Sequence, residues 1–168
     1  MVATGYGAAP NTVREGTEVS DDTVKPFRIL PRVTPENEHF WRGGRDGELR
    51  FTRCVACGYW IHPTAPICPI CLSRDLTIEA ASGDAVVHTF TVNHQAWIPG
   101  FDPPYVIAIV ELVEQPGLRL TTNLVGIAPD DVEIGLPVHV TFEHQDDNGY
   151  EVWLPLFAPV RVDTARGA

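Results

Sequence analysis

All four cysteines of the chain fall within eighteen residues, "CVACGYWIHPTAPICPIC", as the pairs Cys54/Cys57 and Cys68/Cys71 with ten residues between them. No other feature limits the fold as much. Four cysteines can make two disulfides, two redox pairs or one tetrahedral metal site. Disulfides belong to secreted chains. The opening residues "MVATGYGAAPNTVREG" carry neither the basic stretch nor the apolar stretch of a secretory leader. A redox Cys-x-x-Cys needs a strand–helix setting, and two of them so close together would be redundant. A metal site remains. Gly58, directly after Cys57, lets the backbone turn its amides towards the thiolates, and Pro69 stiffens the second turn. The expectation is one closed site built by Cys54, Cys57, Cys68 and Cys71.

One structural Zn2+ per chain is the favoured ion, because a redox-inert tetrahedral metal suits a short ribbon. Iron is the rival, since rubredoxins use the same paired turns. Four thiolates leave no open position for water or substrate, so the site is expected to be structural. With thiols kept reduced, a cytoplasmic location is expected. The longest unbroken apolar run, residues 105–110, is far too short to span a bilayer.

Charge narrows the partners. The net charge is −10. Residues 1–75 balance nine Lys/Arg against nine Asp/Glu, whereas residues 76–168 set three arginines against thirteen acids. A phosphate backbone is bound by Lys and Arg, so nucleic acid is disfavoured as a partner of that half.

Along the chain, residues 1–25 lack apolar periodicity and read as a tail. Pro26, Pro31 and Pro35 punctuate an extended connector. Thr34-Pro35-Glu36 reads as a helix start, with an N-cap hydroxyl, proline at N1 and an acid in the first turn; Gly43-Gly44 should end that helix. "ELRFTRC" is a short strand into the first pair. After Cys71 the pattern turns to period two, in "LTIEAAS", "DAVVHTFTVNH", "YVIAIVELVE", "LRLTTNLVG", "PVHVTFEH" and "YEVWLPLFAPV". The expected fold is mainly β: a helical segment, a four-cysteine zinc ribbon and a small Greek-key barrel of the OB type. The expected divisions are a tail and connector over 1–30, helix plus ribbon over 31–75, barrel over 76–162 and a tail over 163–168.

Catalytic equipment is thin. No Gly-x-Ser-x-Gly elbow, His-Glu-x-x-His pair, phosphate loop or dinucleotide fingerprint occurs. His88 alternates with Val86, Phe90 and Val92, and His144 with Val138, Val140 and Phe142, so both read as core or rim histidines. His39, His94 and His139 read as surface groups, and Asp130-Asp131 as a solvated pair on a loop that could hold one helical turn. The proline-rich loop "QAWIPGFDPP", residues 95–104, is the better lead. Its Trp97 and Phe101 either meet a ligand or fold back to cap the barrel.

Taken together, the helix, Cys-x-x-Cys-Gly, Cys-Pro-x-Cys and the following strands resemble the DUF35 family. The resemblance runs from about residue 40 to residue 160 through "GELRFTRCVACG", "CPICLS", "SGDAVVHTFT", "DPPYVIAIVEL", "IGLPVHVTFE" and "LPLFAPV". It implies a rubredoxin-like zinc ribbon followed by an OB-fold in a non-catalytic accessory subunit. Such a subunit docks beside a thiolase-superfamily enzyme, an acyl-CoA thiolase or aldolase of lipid or steroid side-chain metabolism, and helps hold the acyl-CoA in a hetero-oligomer. The carry-over is residue by residue only at Cys54, Cys57, Cys68 and Cys71. Acyl-CoA or partner contacts are expected from Phe40 and Trp41 on the helix and from Trp97, Phe101 and Tyr105 around the loop. Two other classes stay open: a nucleic-acid module, which needs a basic groove with stacking aromatics, and a rubredoxin-like electron carrier, which needs iron.

Overall fold

A computed structural model of the protein describes residues 28–97 and 102–160. The clearest alternation in the sequence makes the best-formed strand. In β5 (Tyr105–Leu112), Val106, Ala108, Val110 and Leu112 are buried, while the residues between them lie half-buried on the outer face. Around it, β4 (Asp84–Asn93), β6 (Arg119–Leu124), β7 (Pro137–Asp147) and β8 (Tyr150–Pro159) close a five-stranded barrel in the order β4-β5-β6-β8-β7. Neighbours are antiparallel except β6 and β8, which run parallel and share the single pair Leu124↔Phe157. The short hairpin β7–β8 turns at Asn148-Gly149, both with positive φ (53° and 87°), the sequence chemistry of a tight two-residue turn.

A second sheet holds the cysteines. It is three-stranded, ordered β2-β1-β3, with β1 at Leu49–Cys54, β2 at Trp60–Ile61 and β3 at Leu76–Ala81. The sequence grouped β3 with the barrel strands. It pairs instead with β1 along its whole length, from Leu49↔Ala81 to Cys54↔Leu76. The chain crosses to the barrel at Gly83 (φ 84°), where a Cβ would lie 2.5 Å from Val140 Cγ1. That left-handed step beside β7 is what separates the two sheets.

The helix is shorter than the sequence suggested. Residues 35–37 form a turn in which the Thr34 carbonyl accepts from the N–H groups of Asn37 and Glu38, and α1 spans Glu38–Arg42. It ends where the sequence suggested, with Gly43 as its C-cap; the chain then tightens into a 3-10 turn, Gly43–Asp46, and leaves at Gly47 (φ 75°). The reason for glycine at Gly44 is contact. A Cβ there would lie 2.5 Å from both Phe142 Cδ1 and Trp153 Cβ, so the turn sits directly on β7 and β8. Among the described residues no helix is long and apolar enough to cross a membrane.

Both histidines expected in the core or at its rim are exposed. On β4 the register with β5 slips between Val87 and Thr89, leaving His88 as the extra residue of a bulge. The slip carries Ala85 and Val87 inwards before it, and Phe90 and Val92 inwards after it. His88 is therefore off the apolar face to which simple alternation assigned it. On β7 the inward parity changes at Phe142-Glu143, where the strand leaves the barrel as a two-stranded ribbon with β8. The connector covers that ribbon: Arg28 binds Glu143, and the Tyr150 hydroxyl both accepts from Val33 N–H and donates to the Pro31 carbonyl. Gln145 is buried and donates to Glu143 Oε1 at 2.7 Å, and His144 turns out to stack on Trp153, with centroids 4.5 Å apart.

Ribbon and barrel share one apolar core. Phe40, Leu49, Phe51 and Trp60 join Val87, Val110, Leu118 and Val138 in a single buried cluster. Gln115, in the β5–β6 connection, accepts from the Trp60 amide at 2.9 Å and donates to the Trp60 carbonyl at 3.1 Å, tying the sheets by backbone-like bonds.

Candidate metal centre and its surroundings

The two Cys-x-x-Cys turns are copies of one another. In the first, Gly58 N–H donates to the Cys54 carbonyl (2.8 Å) and Cys54 N–H to the Tyr59 carbonyl (2.9 Å). In the second, Leu72 N–H donates to the Cys68 carbonyl (3.0 Å) and Cys68 N–H to the Ser73 carbonyl (2.9 Å). Each turn needs a left-handed residue just past its second cysteine: Gly58 at φ 75° and Leu72 at φ 61°. Glycine takes that conformation freely, whereas leucine is strained in it.

The turns face each other and bring the four Sγ atoms within 4.8 Å of one another. Cys54 and Cys71 sulfurs are 3.5 Å apart, and those of Cys57 and Cys68 are 3.6 Å apart. A tetrahedron of sulfurs about 2.3 Å from a central ion has edges of about 3.8 Å, so the donor set fits a tetrahedral metal. Backbone amides are aimed at it: Tyr59 N–H at Cys57, those of Ile70 and Cys71 at Cys68, and Ser73 N–H at Cys71. Burial opposes ionisation of Cys68, yet its two amide donors and its thiol neighbours bring its pKa down to about 7. Cys54 and Cys68 are buried, while Cys57 and Cys71 lie at the surface. The four predicted cysteines thus come together as a donor set that can fill every position of a tetrahedral metal, which would leave no open position for a substrate.

The predicted aromatic contacts separate. Phe40 is 6% exposed and belongs to the shared core, edge-on to Trp41 at 4.8 Å. Trp41 is half-buried and, with Phe40, lines a cavity of about 480 Å3 at the junction of ribbon and barrel. Trp97 is 73% exposed, its indole N–H donating to Asn93 Oδ1 at 2.9 Å. Tyr105 is half-buried at the start of β5, and Phe101 lies outside the described residues. His62 and His39 lie near one another beside this junction, which their separation in the chain does not signal. Burial first, and then the neighbouring His39, lowers His62 to about 4; burial and then Arg50 lower His39. The junction cavity left no mark in the sequence, because its walls come from segments more than a hundred residues apart.

Comparison with known proteins agrees with this geometry. Residues 41–77 match the family described as the rubredoxin-like zinc ribbon domain of ChsH2, and residues 79–143 that described as its C-terminal OB-fold domain. The chain is 40% identical over 143 residues to a probable enoyl-CoA hydratase alpha subunit of Thermomonospora curvata, covering 85% of this chain and 43% of that protein. It is 34% identical over 139 residues to the 3-oxo-4,17-pregnadiene-20-carboxyl-CoA hydratase alpha subunit of Mycobacterium tuberculosis, covering 83% of this chain and 44% of that one. The chain therefore spans less than half the length of either hydratase subunit. A DUF35 domain-containing scaffold protein of Methanothermobacter thermautotrophicus is 35% identical, with 76% of this chain and 86% of that one covered. Among solved structures, a chain of the Ltp2-ChsH2(DUF35) aldolase superposes with a TM-score of 0.67 at 40% identity, over 77% of this chain and 98% of that one.

Proposed function

Because the chain belongs to the DUF35 family, we propose that it is a scaffold subunit without catalytic activity of its own. It binds a thiolase-superfamily enzyme, an acyl-CoA thiolase or aldolase of lipid or steroid side-chain metabolism, and helps hold the acyl-CoA. The observation that carries this reading is the likeness to the chain of the Ltp2-ChsH2(DUF35) aldolase, which extends over 98% of that chain. The relatives named as hydratase subunits carry enoyl-CoA and pregnadiene-carboxyl-CoA in their names, which supports an acyl-CoA as the ligand class of the assembly. Their hydratase activity is not transferred, since more than half of each lies beyond the match.

The metal is zinc. It supplies no chemistry to a substrate and acts by joining the two cysteine turns, so that β1 and β2 are held against α1 and the barrel. Trp97, exposed at the end of β4, is the residue we assign to partner contact, because a large ring left in water costs free energy that an interface recovers. Co-expression with a thiolase-superfamily aldolase, followed by size exclusion, tests the reading. The two should elute together, the enzyme should lose solubility or turnover without this chain, and this chain alone should turn over no acyl-CoA. Separate elution of two active, soluble proteins would overturn it.

A further inference from the structure

The barrel is incompletely sewn between β6 and β8. Their one residue pair is Leu124↔Phe157; before it, contact passes through a side chain, Thr122 Oγ1 donating to the Pro155 carbonyl at 2.8 Å. The cavity of about 480 Å3 lies over this parting. Its apolar walls are Phe40 and Trp41 from α1, Leu120 from β6, and Leu154, Pro155 and Leu156 from β8. The volume falls in the range of small-molecule sites.

The arginine and amide side chains around it are engaged within the protein. Arg28 donates to both carboxylate oxygens of Glu143 at 2.9 Å and to Asn123 Oδ1 at 3.1 Å. Asn123 donates to the Val106 carbonyl at 2.9 Å, and Arg119 Nε to Glu111 at 2.7 Å. His62, the remaining ring at the rim, is held neutral by burial. Each cation already faces its own carboxylate, so an entering anion meets no unmatched charge. A strongly polar ligand would give up water without recovering its hydrogen bonds. An apolar group loses nothing and covers the exposed faces of Trp41 and Leu154.

We propose that this seam cavity seats the hydrocarbon portion of an acyl thioester, with the CoA moiety left outside it. The assignment rests on the acyl-CoA reading above and adds where the acyl group lies. The metal-loaded full chain is titrated calorimetrically with CoA, with hexanoyl-, octanoyl- and decanoyl-CoA, and with 1-decanol. CoA should not bind, and each two-carbon step should tighten binding by up to about tenfold, the limit for methylenes leaving water. Leu154→Glu puts a carboxylate in the half-buried wall and should weaken decanoyl-CoA and 1-decanol at least about tenfold with metal content retained. Leu154→Trp, which fills the cavity with apolar atoms and so spares the fold, should do the same. Affinity independent of chain length, or equal binding by both variants and the parent, overturns the assignment while leaving co-elution with the enzyme untouched. Binding of 1-decanol without any acyl-CoA overturns the thioester ligand and the acyl-CoA reading together.

Discussion

Acid should weaken this fold through His62, and replacing that ring should remove the effect. The imidazole packs 4.9 Å from the Phe40 ring and 5.3 Å from the Phe51 ring, at the joint between ribbon and barrel. Burial there, and then the neighbouring His39, lowers its pKa from 6.5 to about 4. Between those values the unfolded chain binds a proton that the folded chain refuses. The contribution is therefore fully present above pH 6.5 and is lost as pH falls towards 4. Between about pH 8 and about pH 5 the loss is on the order of 2 kcal/mol, which for a fold of this size lowers Tm by about 8 °C. The assay is thermal melting of the metal-loaded chain at the two pH values, for the parent and for His62→Phe. Acid weakening of the thiolate site, and the lowered pKa of His39, are common to both proteins and cancel in the comparison. The variant's fall in Tm should be smaller by about 8 °C. Equal falls for the two proteins would refute the reasoning.

Purified protein should be colourless with one zinc per chain by elemental analysis, and Cys57→Ser should release the metal and loosen the ribbon together; stoichiometric iron would sink the zinc assignment. Leu72→Gly should raise stability by up to about 1 kcal/mol, because it relieves a left-handed leucine that is 74% exposed and so gives up little packing. Gly44→Ala should lower stability by about 1–3 kcal/mol in denaturant melts, since its Cβ would fall 2.5 Å from Phe142 and Trp153 in a packed contact. Single-stranded DNA should not be retarded at moderate salt; salt-sensitive binding at micromolar concentration would return the nucleic-acid reading.

The metal centre was legible in the sequence because its ligands are local. Two four-residue turns, a glycine after the first and a proline within the second fix most of the geometry that brings the sulfurs within 4.8 Å. The barrel strands were legible for a similar reason: alternation in β5 and the Asn148-Gly149 turn are encoded by neighbours in the chain. Other features depended on what lies across from each residue. The bulge that expels His88 is set by the register of β4 against β5, and the exposure of His144 by a connector more than a hundred residues earlier. β3 alternates like a barrel strand, and only its pairing with β1 assigns it to the ribbon. Gly43-Gly44 ends α1, as glycine's poor fit in helix interiors suggests, but only the packed structure shows that the missing Cβ of Gly44 also admits Phe142 and Trp153. The seam cavity is the extreme case. Arg28, Trp41, Thr122 and Leu154 have no relation in the sequence, and they meet because β6 and β8 share a single residue pair in parallel register. Short-range chemistry thus determined the ligands and most of the strands, while register and closure, which depend on partners distant in the chain, decided which faces are buried and where a ligand finds room.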